Sequence, residues 1–370
     1  MKYTPFQFNS NIIAAKIRMC VYGSLLVASI VSPMVQAADF SSSYQAYQQA
    51  VASKDVEQTL VYAQQAYDFG KVSFGENHID TAMLLMNLAN AQRDSGDNVS
   101  ASQNYDNVLA SYITHYGNNS IEVLDPMLLV AESTTNDKKA QALFEDTIGV
   151  AKSLKDPLVL AEVYTAAFKH LYKTSKYNHT IKNYGLKAYD IYSQHLPEDA
   201  IVRVDATHLA ASIQFAEKHY DTAKRLFLEV IKQYQALDYS HPSELHAHAV
   251  LVELYEKQNN SQQATAHCIA IGKMKPWSDD QDQVPLFRHH PNYPKSYAKD
   301  RKEGWVDMAF IIDKNGFVKS ASVLDSKGGK RFEIESLEAI QKWRYAPKFV
   351  DGNPVQAEAK VRLDFTIANS

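Results

Sequence analysis

The chain has 370 residues, a formal net charge of −4, 45% hydrophobic residues and 22% charged residues. This length predicts two or three domains, and this hydrophobic content is sufficient to build their cores. The charge balance has no basic surplus, so the composition is not that of a nucleic-acid-binding protein, and we expect no nucleic-acid partner.

The first 37 residues have the pattern of a secretory signal peptide. Basic residues precede an apolar run over residues 19–31, and Val35 and Ala37 fit the small-residue rule for cleavage after Ala37. We therefore expect export to a bacterial periplasm. The alternative is an uncleaved inner-membrane anchor that faces the periplasm, and only then do we expect membrane contact. The apolar run is shorter than the ~20 residues of a membrane span and is closed by Pro33.

Cleavage would leave Cys268 as the sole cysteine of the mature chain. One cysteine cannot form an intramolecular disulfide, so the stability of an exported fold must come from its core. Cys268 occupies an apolar position of the repeat described next. We therefore expect a buried, unreactive thiol and not a redox site.

A pattern of about 41 residues recurs six times over residues 44–275. Each copy has a polar turn, a small residue and, four positions later, a residue that is usually aromatic. A small residue lets two antiparallel helices approach closely, and the residue one turn later fills the space against the next hairpin. The small residues are Thr59, Ala101, Ala140, Thr180, Ala223 and Ala264, and the residues four positions later are Ala63, Tyr105, Phe144, Tyr184, Phe227 and Cys268.

The best copy, residues 87–109, resembles the tetratricopeptide repeat in its longer variant of about 42 residues, and residues 74–82 resemble its inter-repeat segment. The copies near Ala140 and Thr180 match less well. The resemblance implies an α-solenoid that binds a protein or peptide in a concave groove. A spacer or structural rod is the alternative.

The periodicity ends at residues 276–290, where prolines and acidic residues predict a linker. The remaining segment, residues 291–370, predicts a small α+β domain with two hairpin-connected strands, one helix and a final alternating strand. Lys342 and Arg344 are expected in the last turn of that helix, where they suit its dipole, and Pro347 is expected to end it. The strands are predicted over 304–313, 317–325 and 355–367, the helix over 331–345, and the turns at 314–316 and 351–352.

Six short motifs follow one another in this last segment with consistent spacing. They are P-N-Y-P at 291–294, E-G-W-V at 303–306, D-K-N-G-F-V at 313–318, K-W-R-Y-A-P at 342–347, D-G-N-P-V at 351–355 and the closing L-D-F-T-I. Together they resemble the C-terminal domain of the TonB energy-transducer family over about 80 residues. The predicted fold is therefore mainly α, with a tetratricopeptide-like α-solenoid followed by a small α+β TonB-like C-terminal domain.

The resemblance implies a non-enzymatic, periplasmic role in energised transport through outer-membrane TonB-dependent receptors. Such domains pair a sheet edge with an extended receptor segment, so that backbone hydrogen bonds supply the affinity. The final strand is the expected edge, and its polar face would discourage indiscriminate pairing. Tyr293 and Pro294 match the family's Y-P pair, although both could simply close the domain. The expected receptor-contact residues are Tyr293, Pro294, Gln356, Glu358, Lys360 and Arg362.

The chain departs from the usual transducer, because a repeat array replaces the proline-rich spacer and the predicted signal removes the anchor that couples to the ExbB–ExbD motor. The alternative function is therefore a periplasmic scaffold that organises a TonB–ExbB–ExbD-type complex without transducing energy. The transported substrate, for example an iron siderophore, haem or cobalamin, stays open.

No catalytic, metal or cofactor motif is predicted. Glu244 and His248 lie one turn apart on a predicted helix, and His289 and His290 are adjacent, but neither pair has the ligand pattern of a metal site.

Overall fold

The computed structural model describes residues 34–235, 241–274 and 284–367, with side chains from residue 40 onward. The predicted signal peptide therefore lies almost entirely outside the described residues. Within the described ranges, no helix combines the length and the apolar composition that crossing a membrane requires.

The helices before residue 275 form six antiparallel hairpins, and the chain divides into two compact units, residues 1–196 and 197–370. The first unit holds four hairpins, with a 3₁₀ turn at Ile121–Val123 before α5. They are α1 (Met34–Ser53) with α2 (Val56–Phe74), α3 (Ile79–Ser95) with α4 (Asn98–Tyr116), α5 (Leu124–Ser133) with α6 (Asp137–Ser153), and α7 (Pro157–Leu171) with α8 (His179–His195).

Short polar residues start the second helix of each of these four hairpins. Their side-chain oxygens accept hydrogen bonds of 2.8–3.1 Å from backbone N–H groups two or three residues ahead. Each bond satisfies a donor that a helix N-terminus otherwise leaves without an intrahelical partner. The capping residues are Asp55, Asp97, Asn136 and Asn178.

The second unit begins with two more hairpins and continues into the C-terminal domain. The hairpins are α9 (Ile201–Ala216) with α10 (Tyr220–Gln235), and α11 (Pro242–Lys257) with α12 (Ser261–Met274). The stacked hairpins confirm the predicted helical repeat.

The predicted repeat positions are buried with two exceptions. The position four after the small residue is buried in all six copies, whereas Thr180 is exposed and Thr59 is half-buried. The third copy, expected to be a weak match, is regular in its second helix, where Ala140 and Phe144 are fully buried. Its first helix, α5, has only 10 residues, which explains the poor sequence match.

A three-stranded antiparallel sheet forms the centre of the C-terminal domain, with strand order β3-β2-β7. One face of β2 and helix α14 build its core, and the predicted alternation from Val306 to Ile312 is confirmed by burial. The elements are β1 (Pro285–Phe287), α13 (Lys295–Lys299), β2 (Gly304–Ile312), β3 (Val318–Lys327), α14 (Lys330–Ile340), β4 (Arg344–Tyr345), β5 (Lys348–Val350), β6 (Asn353–Val355) and β7 (Ala357–Phe365).

The predicted turn at residues 351–352 is present and joins β5 to β6. Asp351 and Gly352 both have positive φ, 49° and 76°. A two-residue hairpin loop with two left-handed residues matches the right-handed twist of its strands, and Asp-Gly is a preferred pair for it.

The predicted end of helix 331–345 is wrong, because α14 ends at Ile340. The indole Nε1 of Trp343 donates to the His289 carbonyl at 2.8 Å, and β4 pairs with β1. These contacts join residues 343–345 to residues 285–289, and they outweigh the local sequence pattern that favours a longer helix. Arg344 is consequently buried and not in a last helical turn, and Pro347 is not what ends the helix. Strand β1 lies in the predicted linker 276–290, of which residues 276–283 are outside the described ranges.

Candidate functional site

The candidate site is the outer edge of β7. This strand pairs with β2 along its whole length without a register shift, from Ala357 opposite Ile312 to Phe365 opposite Gly304. In an antiparallel ladder, alternate residues direct their N–H and C=O groups to the neighbouring strand, and the residues between them direct theirs away. Among the described residues no strand pairs with the outer side of β7, which therefore presents a regular row of donors and acceptors.

The opposite edge, β3, is irregular. Its register with β2 shifts twice, between Asp307 and Met308 and between Ala309 and Ile311, and Ser320 has a positive φ of 51°. Bulged, strongly twisted edges are poor templates for a further strand. The geometry therefore favours β7 over β3 for strand addition.

The two faces of β7 differ as predicted. Its polar face is exposed, whereas the inner row is half-buried up to Phe365, which is buried. Helix α14 packs on β2 and β3, and Ala359, Val361 and Leu363 lie at the margin of the core. Side chains of an added strand could extend this partly covered apolar row.

Arg362 is engaged within the sheet. Its Nε and Nη2 donate to the Asp307 carboxylate at 2.6 and 2.5 Å, and its guanidinium lies 4.1 Å from the centre of the Trp305 ring. The Arg362 hydrogen bond holds the pKa of Asp307 below its usual range. Trp305 and Asp307 were not among the residues predicted from the sequence to form the receptor contact. Their alternation with the core residues of β2 was the available signal, because it places them on the face that carries Arg362.

Gln356, Glu358 and Lys360 are exposed at the start of β7. Gln356 lies in the connection between β6 and β7 and is not part of the strand. The structure therefore brings Glu358, Lys360 and Arg362 together on one face.

Tyr293 and Pro294 lie near the other end of β7. The Tyr293 hydroxyl donates to the Lys302 carbonyl at 2.6 Å, and its ring packs edge-on against Phe332 and Phe365, with centroids 5.5 and 5.8 Å away. Desolvation, followed by the charge of Glu303, raises the pKa of the Tyr293 hydroxyl. Pro294 is buried and precedes α13. These contacts close the domain, and a receptor contact by this pair stays a prediction. Eight residue steps of β7, roughly 26 Å, separate this end from Ala357.

His248 is part of a buried histidine pair. Its Nδ1 lies 2.8 Å from Nδ1 of His267, and a second pair joins His208 Nε2 to His246 Nδ1 at 2.9 Å. Two ring nitrogens at this distance share one hydrogen bond, so one ring donates and the other accepts. The described part of the chain contains no group of three or more His, Cys, Asp or Glu side chains that could hold a metal ion.

Residues 289–367 match the family model described as Gram-negative bacterial TonB protein C-terminal. Protein TonB of Pseudomonas aeruginosa is 32% identical over 89 residues, which cover 24% of this chain and 26% of that protein. The chain thus spans about a quarter of the length of this relative. The solution structure of the P. aeruginosa TonB C-terminal domain is 30% identical and is covered to 93%, against 25% of this chain, with a TM-score of 0.23. The predicted resemblance of the C-terminal domain to the TonB family is confirmed.

The helical array resembles the crystal structure of the apo form of RapI. The identity is 12%, the alignment covers 71% of this chain and 70% of that chain, and the TM-score is 0.52. At this identity the likeness shows a shared helical-repeat fold alone.

Proposed function

We propose that the protein takes part in TonB-dependent transport by adding an extended segment of an outer-membrane receptor as a further strand to β7. The observation that carries this proposal is the regular outer edge of β7 in a domain that matches the TonB C-terminal family. The protein acts in the periplasm and catalyses no reaction.

The affinity of such a contact comes from the backbone. Five or six inter-strand hydrogen bonds contribute about 0.5–1.5 kcal/mol each, and the loss of translational and rotational freedom offsets much of this sum. The half-buried row of Ala359, Val361 and Leu363 adds apolar contact for every second side chain of the segment. A weak, reversible contact results, which suits a transport cycle in which the receptor is engaged and released.

Two properties of the polar face favour a defined partner. Glu358 and Lys360 place charges of both signs beside the edge, and such charges oppose uncontrolled sheet extension. Arg362 contributes indirectly, because its bonds to Asp307 hold β7 against β2.

The hairpin array supplies a second candidate function. Stacked helical hairpins form extended surfaces for partner proteins, and the array precedes the edge-bearing domain in the same chain. A periplasmic scaffold that binds an inner-membrane TonB–ExbB–ExbD-type complex would use this surface without strand addition by β7.

The test is an N-methylation scan of the receptor segment. Synthetic peptides from the TonB-box region of a TonB-dependent receptor are titrated against the full chain, each with one backbone nitrogen methylated. Strand addition predicts a period of two, because only alternate N–H groups point to β7. Each methyl at a sensitive position should weaken binding about 5-fold, the equivalent of ~1 kcal/mol.

The intervening positions are the built-in control, since their methyl groups point away from β7. Equal losses at every position, or none, would contradict strand addition. Absence of binding at millimolar peptide, in a chain that cells still require for uptake, would favour the scaffold function.

A further inference from the structure

The C-terminal domain contacts the last helical hairpin through one buried guanidinium. The Arg344 side chain is 2% exposed and forms an ion pair with Glu256, near the end of α11. Its Nη2 donates to Thr265 Oγ1 on α12 at 2.8 Å and to the Asn315 carbonyl at 3.1 Å. The guanidinium also lies 3.7 Å from the centre of the Phe317 ring. Arg344 thus joins both helices of the hairpin to the turn between β2 and β3.

Apolar packing continues around this ion pair. Gly272 on α12 marks a close approach of the backbone to the domain, because a Cβ there would lie 2.6 Å from the Pro347 carbonyl and 2.7 Å from the Phe349 ring. One cluster crosses from the hairpin into the domain. Its buried members are Val252, Ala264, Cys268, Ile271 and Ala346, and Leu286 and Phe287 of β1 pack against it.

The last copy of the repeat differs from the copy before it at this contact. In the fifth hairpin, Phe227 packs against His246 of the following hairpin, with ring centroids 5.9 Å apart. In the sixth, the same repeat position is Cys268, whose Sγ lies 3.7 Å from Arg344 Nη2. The smaller side chain leaves room for the C-terminal domain where another hairpin would otherwise stack.

We propose that the C-terminal domain is the cap of the repeat array, docked on α11 and α12 by Arg344, and that it unfolds together with this hairpin. Repeat arrays need a terminal element that covers the last apolar face, and this domain supplies it. The proposal is independent of receptor binding, since its contacts involve β1, β4, β5 and the turn before β3 and not the outer edge of β7.

We call the contact between the C-terminal domain and the α11–α12 hairpin the joint. Its buried Arg344–Glu256 ion pair can be disrupted by a single substitution. Removing one member of a buried ion pair leaves the other charge uncompensated, which favours separation of the surfaces that bury it. Cys268 reports on this separation. It is fully buried, and desolvation by burial raises the pKa of its thiol to about 12, so it reacts slowly while the joint is closed.

The experiment measures thiol labelling of the full chain in a Cys20→Ser background, in which Cys268 carries the only thiol. Glu256→Gln and Arg344→Met should each accelerate labelling about tenfold or more under native conditions. Glu253→Gln is the matched control, because Glu253 lies on the same helix in a surface pair with Lys257 and should leave the rate unchanged. Unchanged rates in both joint variants, or equal acceleration by the control, would overturn the proposal.

A second measurement uses the unmutated joint in the same background. All three tryptophans, Trp277, Trp305 and Trp343, lie in residues 197–370, and the latter two are in the C-terminal domain. Their fluorescence should change at the same urea concentration at which Cys268 becomes rapidly labelled, as one cooperative unit requires. Two separate midpoints would show that domain and hairpin unfold independently, which would also overturn the proposal.

Discussion

His248 and His267 form a buried pair of titratable side chains. Desolvation by burial lowers the pKa of His248 and of His267 to about 4, and the charge of His267 lowers that of His248 further. An unfolded histidine titrates near ~6.5. Between these values the unfolded chain binds more protons than the folded chain. The pair therefore stabilises the fold above pH ~6.5, and this stability is lost as the pH falls towards about 4.

We predict that His267→Gln reduces the pH dependence of unfolding. Each proton bound only by the unfolded state contributes about 1.4 kcal/mol per pH unit to the slope of the free energy of unfolding. Removing one histidine should lower that slope by up to this amount between pH 4 and 6.5. Urea unfolding followed by tryptophan fluorescence measures it for residues 197–370, where all three tryptophans lie.

The slope is the informative quantity, since any substitution in a buried pair can lower stability at all pH values. His290→Gln, at an exposed position outside the pair, is the control substitution. An unchanged slope in His267→Gln would show that the pair does not titrate on unfolding.

At the scale of the element, the sixth hairpin is shaped for a different neighbour than the hairpins before it. We predict that Cys268→Phe, which introduces the aromatic residue found in four of the other five copies, destabilises the protein. The ring would overlap the space that Arg344 and the 313–317 turn occupy, and overpacking of a filled core typically costs about 1–3 kcal/mol.

Cys268→Val is the matched variant, because it adds little volume and should cost less than Cys268→Phe. The urea midpoint from tryptophan fluorescence compares the two. A midpoint for Cys268→Phe at or above that of the unaltered chain would contradict the packing described for the joint.

Element types were predictable from sequence where the decisive contacts are local or periodic. The alternation of Val306, Met308, Phe310 and Ile312 with half-buried residues leaves one consistent strand, and the small-residue spacing locates the second helix of every hairpin. The end of α14 was not predictable in this way. Arg344 leaves the helix to meet Glu256, 88 residues earlier in the chain, and no local pattern carries that information.

The candidate site was likewise predictable where the pattern is periodic and not where it depends on long-range contacts. Alternation predicted the exposed face of β7, and the structure places this strand at a sheet edge. The bonds of Arg362 to Asp307 depend on the register between β2 and β7, which the sequence does not state. Whether Tyr293 contacts a receptor depends on a partner that the chain alone does not contain.

At the scale of the whole molecule, the C-terminal domain follows the helical hairpins in the chain and also packs against the last of them. We predict that residues 284–370 alone are less stable than the same residues in the full chain. Excision exposes Ala346, Leu286 and Phe287 and leaves Arg344 without Glu256. The urea midpoint of Trp305 and Trp343 fluorescence should be lower in this fragment.

The matched fragment is 197–370, which keeps the two last hairpins with the domain as one compact unit. Its midpoint should stay close to that of the full chain. If residues 284–370 unfold at the same midpoint as 197–370, the hairpin contributes nothing to the stability of the domain.

The cysteine in the last hairpin bears on how this protein could change in evolution. Repeat arrays lengthen when a hairpin is duplicated, and a duplicate survives only if it fits both of its neighbours. A tandem copy of residues 242–274 would set a second Glu256 and Cys268 against a helix that offers no arginine. A copy of residues 201–235 carries Phe227, which already fits a following hairpin. Lineages should therefore gain and lose hairpins before residue 242, while the last hairpin and the C-terminal sheet are inherited as a pair.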